Sequence, residues 1–229
     1  MHEHDERTLE ASRLLTDALT PGDLDQTLGR ITQAAVDVLP DVRFASITVK
    51  HDDGRVETVA PTHETPVRLD AEQYALREGP CYDAATDSVH VIAPYLAEDT
   101  RFPRFAKAAV GVGIEAMAGL RLFESRNATG ALNLYSERRG SFEDLDTLAA
   151  LFTHQAGMAI GYARQVTQLK EAVATRQVIG QAVGITMERF GLDDARAFAF
   201  LNRLSQDSNT KLRDVAEQLV AESGERQGG

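Results

Sequence analysis

Residues 141–190 read SFEDLDTLAALFTHQAGMAIGYARQVTQLKEAVATRQVIGQAVGITMERF, and this stretch decides how the chain is organised. Ser141 and Asp144 offer a capped start, and no glycine–proline punctuation follows. Leu148, Phe152, Gln155, Ala159, Tyr162, Val166, Leu169, Val173, Arg176, Gly180, Val183 and Met187 alternate spacings of four and three, and nine of the twelve are apolar. That period, held for so long, predicts one long helix with a coiled-coil seam, and a seam needs a partner helix. The competing reading is a core helix of one domain followed by an unrelated helix, because Gln155, Arg176 and Gly180 interrupt the seam. No second pattern of similar length exists in the chain to cover it. Leu148, Phe152, Ala159, Tyr162, Val166, Leu169 and Val173 are therefore the expected contacts of a parallel homodimer.

Upstream, helical and strand-like patterns interleave. Leu9, Leu14, Leu15 and Leu19 suggest a helix over 6–19, closed by Pro21-Gly22. Asp23 reads as the N-cap of a second helix reaching Leu39. Strands are expected at 44–49 and 56–59 around the hairpin signal HDDG, then at 89–92, 115–122 and 129–135. Short helices fit near 70–77 and 105–110. Strands joined by hairpins and flanked by helices predict an α+β domain on a mostly antiparallel sheet. Downstream, Gly191 ends the long helix. A second helix spans about 193–206 with Ala195, Phe198, Leu201 and Leu204 inward. Asn209 or Thr210 caps a third, on which Leu212, Val215, Ala216, Leu219 and Val220 share a face. The tail GERQGG is polar and reads as disordered.

The 229 residues carry a net charge of −11, which argues against indiscriminate nucleic-acid binding. That charge is uneven. Residues 1–167 hold 16 basic and 26 acidic groups, whereas 168–213 hold 7 basic and 5 acidic. A nucleic-acid partner therefore belongs to the C-terminal part. The one cysteine, Cys81, excludes an intrachain disulfide and a thiolate-rich metal site within one subunit. No apolar run suggests a membrane span, and the polar start lacks a secretory pattern, so a cytoplasmic location is expected. GxSxG, P-loop and HExxH motifs are absent, which gives catalysis no support, and the six histidines lack metal-ligand spacing apart from His2-x-His4.

The segment RQVIGQAVGITMERFGL (176–192), the A-F-x-F-L-x-R-L-S-Q-D-S-N run (197–209) and TKLRDVAEQLV (210–220) resemble an ANTAR domain. This resemblance implies a three-helix module that binds RNA, usually a pair of small-loop hairpins whose formation precludes a terminator. The family usually places lysine in its Ala-Lys-Gly triplet; here the triplet is Ala182-Val183-Gly184. EGPCYDA (78–84), EDTRFPRFAKAA (98–109), GIEAMAGLRLF (113–123) and GALNLYSERRGSFEDLD (130–146) resemble GAF domains, as found ahead of ANTAR modules in actinobacterial proteins. That resemblance implies a sensory domain that takes a small-molecule ligand beside its sheet. Pro94-Tyr95 stands where the usual pattern has a carboxylate after the third strand. Cys81 and Tyr95 are the candidate pocket residues, and Cys81 on its own reads as a small structural residue.

The expected organisation is a GAF-like domain over 1–163, an ANTAR-like domain over 164–222 and a disordered tail over 223–229. The expected function is RNA-binding antitermination under GAF control. Hairpin loops offer unstacked bases and close-set phosphates, so cations, short polar donors and small residues are wanted. Arg176, Gly180 and Gly184 recur at four-residue spacing, with Val183 in the family triplet between them. Arg203, Ser205, Asn209, Thr210, Lys211 and Arg213 gather around the last turn, where free N–H groups favour phosphate. Phe198 and Phe200 read as core, which leaves stacking to arginine. The alternative is a ligand-sensing dimer whose output is protein–protein contact.

Overall fold

The computed structural model describes residues 13, 23–86, 90–143 and 145–227, without the side chains of 146–149 and 224–227. Of the expected helix over 6–19 only Arg13 is described, and the side chain of Leu148 lies outside the described set. The chain divides into two compact units at Gln165/Val166.

In the first unit, α1 (Leu24–Val38) starts as the sequence predicts, with the Asp23 carboxylate accepting from Gln26 N at 2.8 Å. Strands β1 (Phe44–His51) and β2 (Val56–Val59) form the HDDG hairpin. Helix α2 (Glu64–Leu76) begins six residues earlier than the apolar pattern suggests. His63 caps it, and its first turn, Glu64-Thr65-Pro66-Val67, carries no helical apolar period. Helix α3 (Pro80–Thr86) was not expected from the sequence. After it come β3 (His90–Ala93), a single 3-10 turn, α4 (Pro103–Val110), β4 (Ala116–Glu124) and β5 (Ala128–Ser136). The strands make one antiparallel sheet in the order β2-β1-β5-β4-β3.

Strand alternation sends side chains to two faces. Ala45, Ile47, Val49, Leu120, Leu132 and Leu134 pack against Leu28 and Ile31 of α1. Phe152, Ala156 and Ile160, from the first part of helix α5 (Asp146–Phe190, 45 residues), complete that core. The opposite face, with Met117, Ala131 and Tyr135, is covered by Leu69 of α2, Cys81 and Ala84 of α3, and Phe105 of α4. Gly119 permits this cover. A Cβ there would stand 2.4 Å from the Pro80 carbonyl oxygen, so α3 sits directly on β4.

The second unit contains the rest of α5, α6 (Asp194–Ser208) and α7 (Leu212–Gln227). Gly191, with φ 61°, ends α5, and the Asp193 carboxylate caps α6 through Arg196 N at 2.8 Å. The core is made of Ala182, Val183, Ala197, Leu201, Val215 and Ala216. Phe198 and Leu204 were expected inside but are 42% and 44% exposed. Ala197, next to Phe198 on the helix, takes the core position instead. Helix α7 continues to Gln227, five residues into the expected disordered tail.

Candidate functional site

The α6–α7 corner of the three-helix unit is a closed set of hydrogen bonds. Asn209, at φ 51° and ψ 34°, is the left-handed residue that ends α6. Neither it nor Thr210, the two caps the sequence suggested, is the N-cap of the last helix. Lys211 takes that place, its carbonyl accepting from Asp214 N at 2.9 Å and Val215 N at 3.1 Å. Thr210 N donates to the Ser205 carbonyl at 3.1 Å, and Ser205 Oγ donates back to the Thr210 carbonyl at 2.6 Å. Ser205 and Thr210 are thus engaged in building the corner. The Asn209 side chain is exposed and bonds nothing among the described residues.

Arg176, Arg203 and Lys211 are exposed, and among the described residues they pair with no carboxylate. Arg213 does pair, Nε donating to Glu217 at 2.8 Å. Gly180 and Gly184 are exposed, and a Cβ built on either meets nothing within 4 Å. No helix of this unit therefore needs them bare, and their backbone is open to a partner. Val183 differs. It is 6% exposed and packed in the bundle core, which takes its side chain out of the expected RNA contacts. A lysine there would have to run its stem over the core to bring its ammonium to water.

A second concentration of polar groups, not expected from the sequence, lies under the helices that cover the β1/β5 face. Asp70 of α2 is fully buried. Its carboxylate accepts from Ser46 at 2.8 Å, Thr58 at 3.0 Å, Asn133 at 3.3 Å and the Tyr135 hydroxyl. Thr48 and Thr58 also bond the Tyr74 hydroxyl, at 2.8 and 2.9 Å. Among the described residues no cation joins this group. Burial consequently raises the Asp70 pKa to about 6, although the four hydrogen bonds pull the other way. Asn133 Oδ1 is buried without a partner among the described residues.

Cys81 stands beside this network. It is fully buried, its N–H donates to Gln73 Oε1 at 2.9 Å, and Sγ lies 3.8 Å from the Tyr135 hydroxyl. Burial, with Asp70 second, pushes its thiol pKa well up. Glu78, three residues before Cys81, caps α4, accepting from Arg104 N at 2.7 Å and Phe105 N at 2.9 Å. Despite its partial burial, these bonds and the Arg104 guanidinium hold its carboxyl below the usual range. Tyr95, the other expected pocket residue, is 38% exposed and lies under the Arg139 guanidinium, 5.3 Å from ring centre to Cζ. Cys81 is thus enclosed, whereas Tyr95 reaches the surface.

Comparison with family models finds a GAF domain over residues 22–161 and an ANTAR domain over residues 167–220. The chain is a GAF–ANTAR regulator. Its first unit therefore belongs to a sensory family and its second to an RNA-binding one. Comparison with curated proteins finds no match. Among solved structures, the chain is similar to the N-acylhomoserine-lactone-dependent LuxR-family factor CepR2 of Burkholderia cenocepacia. The TM-score is 0.55 at 14% identity, with 69% of this chain and 98% of that one covered. The GAF domain of an Acinetobacter phosphoenolpyruvate-protein phosphotransferase gives 0.51 at 14% identity, covering 71% and 98%. The bacteriophytochrome RpBphP3 of R. palustris gives 0.57 at 10% identity, covering 88% of this chain and 46% of that one. At such identities these likenesses show the fold alone. Among the described residues, no helix is long and apolar enough to cross a membrane.

The expected dimer seam divides between two environments. Phe152 and Ala159 are 1% exposed and belong to the core of the GAF domain, where α5 packs on its own sheet. Their neighbours Leu151 and Met158 are the outward ones, at 46% and 51%, together with Tyr162 at 46%. Val166 is half-buried. In the ANTAR part, Leu169 and Val173 are each 66% exposed. Two features fix α5 against the sheet. A Cβ at Gly157 would stand 2.8 Å from the Leu122 carbonyl oxygen, and the Arg164 guanidinium lies 4.1 Å from the centre of the Phe123 ring.

Proposed function

We propose that this chain is a homodimeric antiterminator that binds paired RNA hairpins through its ANTAR domain and is controlled by its GAF domain. The observation that carries the reading is the exposed surface of the three-helix unit. It includes the bare backbone at Gly180 and Gly184, the cations Arg176, Arg203 and Lys211, which pair with no carboxylate among the described residues, and the exposed side-chain amide of Asn209. Arg176 and Lys211 act on phosphate; Arg203 and Asn209 read loop bases. Ser205 and Thr210 hold the corner that presents them, and Arg213 contributes beside Glu217.

Dimerisation is argued from Leu151, Met158, Tyr162, Leu169 and Val173, which follow one another at spacings of seven, four, seven and four. That is the heptad period of a two-stranded seam, moved one residue from the sequence-based register in its first half. Two parallel copies would present two ANTAR domains to two hairpins, so binding the second is intramolecular. A small-molecule ligand of the GAF domain would act by favouring one arrangement of α5, and its polar partners would come from the groups around Asp70.

The test is a gel-shift titration of the full chain against a two-hairpin RNA at several salt concentrations. The reading expects binding that weakens steeply with salt. Arg176→Ala and Lys211→Ala should each lower the slope by about one phosphate. No shift at any salt concentration would overturn it. Phe190 and Phe200, 55% and 44% exposed with ring centroids 5.5 Å apart, favour a second reading in which the bundle docks a protein. That reading expects pull-down of a protein partner that survives nuclease treatment.

A further inference from the structure

Within the ANTAR unit, one groove has a composition that the phosphate-binding cations do not explain. Its apolar surface comes from Ile179 of α5 and Phe198 of α6. Its edges carry Arg176 and Thr175 of α5, Glu171 one turn earlier, and Arg213 of α7. Phe198 is 42% exposed, where the sequence pattern had placed it in the core.

The chemistry of this groove selects its occupant. A phosphate needs a net positive site with several donors, and it gains nothing from an aromatic face. Here Glu171 lines the groove together with the two arginines, and Arg213 already bonds Glu217 through Nε at 2.8 Å. A planar, uncharged heterocycle has the reverse requirements. It gains from stacking on an aromatic ring or a guanidinium plane, and its edge needs both donors and acceptors. Phe198 supplies the face, Arg213 supplies donors, and Thr175 and Glu171 supply acceptors. The Nε bond to Glu217 also sets the plane of the Arg213 guanidinium and leaves its terminal nitrogens bonded to nothing else among the described residues.

We propose that this groove is a nucleobase slot: one unstacked base of an RNA loop lies against the Phe198 ring, with its edge read by Arg213, Thr175 and Glu171, while Arg176 keeps its phosphate. The slot rests on the RNA-binding reading above. It adds a stacking residue that distinguishes loops by the base they turn out, whereas phosphate contacts are blind to sequence.

The experiment is a cycle of protein and RNA changes on the full chain, with a two-hairpin RNA as probe. Phe198→Leu keeps apolar bulk and removes the aromatic face; Phe198→Tyr keeps the face. In the RNA, each loop position in turn is made abasic. Phe198→Leu should weaken binding by roughly five- to a hundredfold, the range for loss of one stacked base, and Phe198→Tyr should bind as wild type. One abasic position should weaken wild-type binding by a similar factor and add little to Phe198→Leu, because both remove the same contact. Wild-type binding with an unchanged Phe198→Leu affinity overturns the slot and leaves RNA binding standing. So does additivity at every abasic position. Loss of self-association in Phe198→Leu, read by sedimentation, overturns it in favour of a second copy in the groove. Absence of RNA binding by the wild-type chain overturns both readings.

Discussion

Asn209 separates what holds the α6–α7 corner from what reads RNA, and two substitutions there should behave differently. Its backbone is left-handed, at φ 51° and ψ 34°, a conformation that asparagine tolerates, glycine adopts freely and alanine resists. The corner's hydrogen bonds come from backbone groups and the hydroxyls of Ser205, Ser208 and Thr210, and none uses the Asn209 side-chain amide. Asn209→Ala should therefore cost about 1 kcal/mol through backbone strain alone. For a chain of this size that lowers the melting temperature by about 2–4 °C. Asn209→Gly should leave stability within about 0.5 kcal/mol of wild type, since it adds chain entropy but removes strain. Both remove the amide, so both should weaken RNA binding by about two- to tenfold, the worth of one hydrogen bond. The assays are thermal melts of the full chain and filter-binding titrations against loops of different sequence. The reasoning is refuted if Asn209→Gly binds every loop as the wild type does, because the residue is then only a helix terminator. Equal melting temperatures for Asn209→Ala and wild type would refute the strain argument.

Four further outcomes follow from the GAF domain and from α5. Asp70 titrates at about 6 in the fold against an ordinary 3.8, so the folded state holds this proton more firmly. Its stabilisation is present below about pH 4 and is lost as pH rises through about 6. Urea denaturation at pH 5 and pH 7 should show wild type losing about 1 kcal/mol more between them than Asp70→Asn, and equal losses would contradict the assignment. The Cys81 thiol, buried and held protonated, should stay silent to a thiol reagent in the native chain and react once on denaturation. Gly157→Ala should destabilise the GAF domain by about 1–3 kcal/mol in a thermal melt, because a new methyl meets the Leu122 carbonyl. Leu169→Glu with Val173→Glu should give monomers in sedimentation without lowering helix content, since both side chains are two-thirds exposed in one copy.

The backbone elements were largely legible in the sequence; what covers what was not. Asp23, Leu28 and Ile31 announce α1, and Val215, Ala216 and Leu219 announce the buried side of α7, because cap and period agree locally. Helix α3 escaped because Gly79-Pro80 reads as a turn, whereas Pro80 in fact opens the helix, a position where its missing N–H costs nothing. The Asp70 network escaped for another reason. Ser46, Thr48 and Asn133 alternate with apolar residues as they would on a solvated strand face, and only the cover of α2 makes them interior. On α5, a four-three spacing cannot say which neighbouring stripe meets the chain's own sheet. Phe152 and Ala159 took that role and left Leu151 and Met158 outside. On α6 the small side chain won: Ala197 occupies the helix crossing, and Phe198 next to it stays exposed. A Lys-to-Val change in the family triplet was visible, but its burial in the bundle core required the three helices together.

The central claim, that two ANTAR domains act together on paired hairpins, is most directly tested by native mass spectrometry of the full chain. The chain would be mixed with an RNA bearing two adjacent hairpins and, separately, with the same RNA lacking one of them. The expected result is a complex of two chains and one two-hairpin RNA, with little or no complex on the single hairpin at the same concentration. One chain per RNA, or equal binding to both RNAs, would contradict it.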